Sequence, residues 1–197
     1  MAVQRKKFEG IKAVTPTFRA SYLTVFEPRA FEDGPEKYSV EMLFHKTKTD
    51  LTELKKKMHS VAVLAWGKDK AKWPKNFRWP FKDGDEKEDA GEVYLNHVYL
   101  RADSQQPVGI FDQEKNDIID KREIFSGCFC RASVFMVPYE NIGGKGAEGR
   151  SGIKVYLVGV QLVKKGEPLG NNGGKNDFDT IENDDADDTE SDDDAGF

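Results

Sequence analysis

Residues 127–137 read Gly-Cys-Phe-Cys-Arg-Ala-Ser-Val-Phe-Met-Val. Successive side chains of an extended chain point to opposite faces. Cys128, Cys130, Ala132, Val134 and Met136 therefore share one side, and Phe129, Arg131, Ser133 and Phe135 the other. One face is small and apolar and the other mixed, which predicts a long, half-buried strand. The same period runs through residues 37–45. There Tyr38, Val40, Met42 and Phe44 oppose Lys37, Ser39, Glu41 and His45. Residues 18–26, Phe-Arg-Ala-Ser-Tyr-Leu-Thr-Val-Phe, are rich in β-formers, and Pro28 with Glu32-Asp33-Gly34-Pro35 supplies the turn that follows. Residues 92–101 and 152–163 read as two further strands. A loop lies around Pro107-Val108-Gly109, and a glycine-rich hairpin loop holds Gly143, Gly144, Lys145, Gly146, Gly149 and Arg150.

Between the second and third of these strands the period changes. Leu51, Leu54, Met58, Val61 and Ala65 recur at three- and four-residue steps, one face of a helix. Asp50 is placed to cap it, with Glu53 three residues on, and Gly67 to end it. About five strands with one inserted helix predict a mainly β fold: a small closed or partly open barrel of the OB type. A two-layer α+β sandwich is the structural alternative. After Gly166 the chain turns to Gly and Asn and then to acid. The expected organisation is one β domain over residues 1–168, then a flexible linker and acidic tail over 169–197.

Charge is distributed unevenly. The formal net charge of −5 conceals a tail, residues 177–197, with eleven carboxylates and no base, so residues 1–176 hold 24 acids against 30 bases. A basic body with an acidic tail points to a nucleic-acid partner and an interaction segment. No apolar run follows the basic N-terminus and no stretch is long and apolar enough to span a bilayer, so a cytoplasmic protein without membrane contact is expected. Cys128 and Cys130 are too close in sequence for an ordinary disulfide staple, which fits a reducing compartment.

The densest chemistry lies between Trp66 and Lys82. That stretch holds Trp66, Trp73, Phe77, Trp79 and Phe81, with Lys68, Lys70, Lys72, Lys75, Arg78 and Lys82 against the single acid Asp69. Pro74 and Pro80 forbid a continuous helix. Cations on phosphates and rings on bases are what a single-strand binder combines, and stacking tolerates any base. The competing reading folds these rings inward as a lid on the core, most plausibly Trp66 and Phe81. A second candidate surface consists of Tyr94, Asn96, Tyr99 and Arg101 on one strand, Phe129 and Arg131 on another, and Tyr139 and Lys145 just beyond. Core packing is the alternative for Tyr94 and Phe129. Arg131, flanked by apolar residues in mid-strand, needs a partner. The third feature is the end of the tail, Asp192-Asp193-Asp194-Ala195-Gly196-Phe197. Repeated negative charge with one stackable ring imitates single-stranded DNA. Such a segment fits the body's own groove when DNA is absent and a partner protein once displaced.

Other chemistries are weaker. Asp83, Asp85, Glu88 and Asp89 cluster as metal-holding carboxylates of a nuclease would, but Lys82-Asp83-Gly84-Asp85 reads equally as a turn and no base is placed beside it. The Cys-x-Cys pair offers two of the four ligands a structural zinc needs, and His45, His59 and His97 lie on separate elements. No nucleophile–base set or phosphate-binding glycine loop is visible, so neither enzymatic activity nor a cofactor is expected. An acidic-tailed chaperone or adaptor for basic proteins is the remaining alternative, against which the basic, aromatic body argues.

Several motifs carry a resemblance: Pro80-Phe81-Lys82-Asp83-Gly84-Asp85, Pro107-Val108-Gly109-Ile110-Phe111-Asp112, Ser126-Gly127-Cys128-Phe129-Cys130-Arg131-Ala132-Ser133, Val137-Pro138-Tyr139, Gly144-Lys145-Gly146 and Gly166-Glu167-Pro168-Leu169-Gly170. Over residues 8 to 170 the chain resembles a family of tailed-phage proteins first catalogued as a domain of unknown function and now read as single-stranded-DNA-binding. The resemblance implies an OB fold and sequence-independent single-strand binding in replication or recombination. Cys130 departs from it, standing where the family pattern has Gly. The tail is similar to those of replication single-strand binders from T7-like phages. That likeness implies competition with DNA and contact with replication proteins such as a DNA polymerase or helicase.

Overall fold

In the computed structural model, which describes residues 9–30, 33–88, 91–141 and 149–170, the stretch quoted first enters a long strand from Phe129 onward that pairs with three others. Among the described residues nine strands form one sheet: β1 (Ile11–Val14), β2 (Phe18–Arg29), β3 (Lys37–His45), β4 (Phe77–Arg78), β5 (Phe81–Asp83), β6 (His97–Ser104), β7 (Gly109–Phe111), β8 (Phe129–Asn141) and β9 (Arg150–Lys164). One α-helix, α1 (Thr52–Trp66), separates β3 from β4. The fold is mainly β with one helix, as the periodicities predicted.

The pairings run in a ring. β2 pairs antiparallel with β3, β3 with β6 and β8 with both β2 and β9, while β6 meets β9 in parallel at Asp103–Tyr156. β5 covers the edge of β6 at Val98–Leu100, and β4 covers β9 at Ser151–Gly152. These two short strands fill the seam where β6 and β9 diverge. Inside the ring, Val40, Met42 and Phe44 of β3 meet Leu100 and Ala102 of β6 and the small face Cys128, Cys130, Ala132, Val134 and Met136. Small residues on that face leave room for α1. Its Leu54, Met58, Val61 and Ala62 are buried, and it packs on β1, β8 and β9.

Local expectations fail in three places. The capping pair does not form: Asp50 accepts from the Thr52 N–H at 2.8 Å, while Glu53 instead pairs with Lys56 at 2.7 Å. The strand expected at 92–101 starts only at His97, since Glu92–Tyr94 form a 3-10 turn. Strand β2 carries a bulge between Ser21 and Thr24, with Tyr22 at φ 45°. A left-handed backbone costs a residue with a side chain about 1–2 kcal/mol. The buried set accordingly switches from Phe18 and Ala20 to Val25 across that point.

The Ser126-Gly127 and Gly166–Gly170 motifs turn out to be one contact. Gly127 sits at φ 117°, and a Cβ there would overlap the Glu167 carbonyl. The Leu169 N–H reaches the Ser126 carbonyl at 2.8 Å, a second backbone contact at the same crossing. Among the described residues no helix is long and apolar enough to cross a membrane.

Two measurements check this architecture. Gly127→Ala should lower unfolding free energy by about 1–3 kcal/mol in urea titrations. Cys128 and Cys130 are free and buried, and burial, reinforced by Cys128, pushes the Cys130 thiol up to about 12. The thiolate is the reactive form, and both side chains are closed off from solvent, so neither cysteine should react with a disulfide reagent near about pH 8 until the protein is unfolded.

Candidate nucleic-acid interface

Side chains of β2, β3 and β6 that do not enter the core form the outer face. Cross-strand register sets Lys82, Tyr99, Leu43, Arg19, Phe129 and Lys164 in one row from β5 across to β9. Beside it runs a second row, Arg101, Glu41 and Ser21. Antiparallel partners directly opposite share a face, so cations and rings from five strands are brought together by register alone.

Over the second row lies a groove of about 670 Å³. Arg29, Lys87 and Arg101 bring positive charge to it, and Ser21, Thr24 and Ser39 bring hydroxyls. Its framework is a polar knot. Lys87 pairs with Glu41 at 2.6 Å, and its ammonium lies 4.0 Å from the Tyr94 ring, 4.8 Å from Tyr99 and 5.0 Å from Tyr22. The Tyr94 hydroxyl meets Ser21 at 2.9 Å and donates to Glu41 at 2.7 Å. Burial, with Glu41 beside it, holds the Tyr94 phenol protonated well above the usual tyrosine range. Leu43, Tyr94 and Tyr99 form a second small apolar cluster beneath.

The structure corrects the reading of Tyr94 and Tyr99 as stacking platforms. Tyr94 is 1% exposed and Tyr99 is also buried, since Lys87 and Val93 pack against this part of the sheet. They build the groove rather than line it with open rings. Lys82 and Arg101 are exposed on the expected face, with the Lys82 ammonium 5.9 Å from the Tyr99 ring. Asn96 lies in the turn before β6, donating its N–H to Asp85 at 2.6 Å. Phe129 is half-buried under Lys164, 4.7 Å from its ring. Arg131 finds its partner in Gln161 at 2.7 Å.

The aromatic stretch resolves into a packed cluster with one open member. Trp73 meets Phe77 at 5.1 Å, Trp66 at 6.3 Å and Trp79 at 6.0 Å, and Phe77 meets Trp79 at 4.9 Å, mostly edge to face. The Trp73 indole donates to the Gly67 carbonyl at 2.9 Å. Trp66, Trp73, Phe77 and Phe81 pack against the core, as the lid reading had it. Trp79 remains 42% exposed beside exposed Lys72, Lys75 and Arg78. Tyr139, 36% exposed, lies over Gly152 next to the Arg78 backbone. Two carboxylates of the nuclease reading, Asp83 and Asp85, share Lys46 at 2.6 and 2.7 Å, which holds both carboxyls below their ordinary range, and Asp89 lies outside the described residues. Lys145 and the tail residues Asp192, Asp193, Asp194 and Phe197 lie outside the described residues.

The model of the Enterobacter phage Enc34 ssDNA-binding protein family matches residues 11–191. The chain belongs to that family. No curated protein matches its sequence. Its fold is similar to that of the single-stranded DNA-binding protein from bacteriophage Enc34 in complex with ssDNA, with a TM-score of 0.61 at 22% identity over 82% of this chain and 89% of that one. A C-terminal truncation of the Enc34 protein gives 0.59 at 20% identity, covering 81% and 88%. The fold is also similar to gp2.5, a single-stranded DNA-binding protein encoded by bacteriophage T7, with a TM-score of 0.57 at 12% identity over 82% and 96%.

Three residues that line the groove, Tyr22, Arg29 and Lys87, were not among those predicted from sequence. A signal for Tyr22 was present: apolar parity shifts from Phe18 and Ala20 to Leu23 and Val25 across it, as a bulge requires. Arg29 and Lys87 are contributed by a strand end and a loop, which no local pattern ties together. The aromatic cluster can be tested on stability. Trp73→Ala should cost about 2–4 kcal/mol in urea unfolding, whereas Trp79→Ala should cost less than about 1.5 kcal/mol.

Proposed function

We propose that this protein coats single-stranded DNA without reading its sequence, on an OB-type barrel, in phage DNA replication or recombination. The cyclic order β2, β3, β6, β9, β8, with its parallel contact between β6 and β9, supports the five-stranded Greek-key barrel of the OB class. The folded domain is residues 1–168 extended to the Leu169 contact, with the acidic tail beyond.

The observation that carries the reading is the cationic groove on the outer face of β2, β3 and β6. Arg29 and Arg101 are disposed to neutralise phosphates, with Lys87 paired to Glu41 in the same lining, and such cations attract any polynucleotide through counterion release. Lys82, Arg19 and Phe129 extend the surface along the adjoining row, and Arg78, Trp79 and Tyr139 offer a second contact region toward β4 and β9. Unpaired bases can reach rings that the stacked interior of a duplex withholds.

Leu169 and Gly170 form part of the groove wall, and the acidic run begins after six further residues. Placement of the chain exit at that rim supports competition between the tail and DNA for one surface. Asp192, Asp193, Asp194 and Phe197, once displaced by DNA, are then available to replication proteins such as a polymerase or helicase.

Gel-shift titration with oligo(dT) of increasing length, beside duplex of equal length, tests the reading. Single strands should bind far more tightly than duplex, with log affinity falling by about 0.7 per log unit of salt for each phosphate neutralised. Deleting residues 177–197 should tighten binding at low and moderate salt. Equal affinity for duplex and single strand would contradict the function, and an unchanged affinity after truncation would contradict tail competition.

A further inference from the structure

We propose that Tyr22 is the principal base-stacking platform of the groove, pushed out of strand β2 by the strained bulge and steadied by Lys87. The inference rests on the groove being the single-strand site and assigns its stacking residue.

Among the described residues, two aromatic side chains line the groove, Tyr22 and Tyr94. Tyr94 has its ring enclosed and its hydroxyl committed to Ser21 and Glu41. Tyr22 is 61% exposed although its neighbour Ser21 is buried and Leu23 half-buried. The bulge between Ser21 and Thr24 turns it outward, and its φ of 45° is a conformation that a bulky aromatic rarely adopts. The ring joins neither apolar cluster of the fold. A strained backbone that holds a large ring in water, in a cationic groove, gains nothing for folding. Strain of this kind gathers at ligand-binding positions.

Lys87 completes the arrangement. Its ammonium lies 5.0 Å from the Tyr22 ring and is itself fixed by Glu41, Tyr94 and Tyr99. One side of the ring is thereby steadied before a base arrives, which reduces the ordering entropy of binding. Arg29 and Arg101 line the same groove, so a base stacked on Tyr22 would carry its flanking phosphates toward fixed positive charge. The open face of a phenol accepts any base, in keeping with sequence-independent coating.

The test measures oligo(dT) affinity by fluorescence anisotropy for the unaltered protein, Tyr22→Ala and Tyr22→Phe. In parallel, the unaltered protein is photo-cross-linked to an oligo(dT) bearing 5-iododeoxyuridine, and the linked peptide is mapped by mass spectrometry. Tyr22→Ala should weaken binding by about 5- to 150-fold, the equivalent of one lost base stack, while Tyr22→Phe stays within about twofold. The cross-link should fall on Tyr22. The inference is overturned if Tyr22→Ala binds within about twofold of the unaltered protein, or if cross-links fall only on Trp73, Trp79 or Phe129. Because cross-linking uses the unaltered chain, it decides the matter even if Tyr22→Ala does not fold. Failure of the unaltered protein to bind oligo(dT) would instead remove the functional reading itself.

Discussion

Strand β8 hydrogen-bonds along both edges, to β9 on one side and to β1 and β2 on the other, and the rest of the molecule follows from that double pairing. It turns the sheet back on itself, so alternate residues of every ring strand must divide between an enclosed core and an outer face. Cys128, Cys130, Ala132, Val134 and Met136 satisfy the inner demand while leaving space for α1. The outer demand is met by residues that have no apolar alternative use: Arg19, Lys82, Arg101 and Lys164. A slip of one residue in this strand would exchange the two sets.

Aromatic residues divide into two kinds of work. Trp66, Trp73 and Phe77 pack on one another and on the core, and Tyr94 packs edge to face with Tyr99 beside Leu43. Such contacts add about 0.5–1.5 kcal/mol each beyond area burial. Among the described residues, Tyr22, Trp79, Phe135, Tyr139 and Tyr156 stay exposed. Of these, Tyr22 lies beside Lys87 and Tyr156 beside Lys154.

Much of the frame was legible because its signals are local. Strand β3 runs over Lys37–His45 as its alternation predicted, and α1 stops at Gly67, which takes φ 84°. Strands β1, β4, β5 and β7, of two to four residues, are too short to carry a period. Tyr94 was misread because its environment is made by Ser21 and Glu41, 73 and 53 positions away in sequence. Of the candidate site, the chemistry of cations beside rings was legible, and Lys82 and Arg101 are exposed. Tyr22, Arg29 and Lys87 were not, since a bulge, a strand end and a loop bring them to one groove. What the Ser126-Gly127 and Gly166–Gly170 motifs accomplish also became clear only when their crossing was seen: two backbones approach too closely for any side chain but hydrogen.

The central claim is that single-stranded DNA lies on the outer face of β2, β3 and β6. Backbone amide shifts in nuclear magnetic resonance spectra, followed while oligo(dT) is added to the tail-deleted protein, test it most directly. The account predicts the largest changes at Tyr22–Thr24, Ser39–Glu41, Lys87 and Arg101. Changes confined to α1 and the outward side of β1, with those amides unmoved, would contradict it.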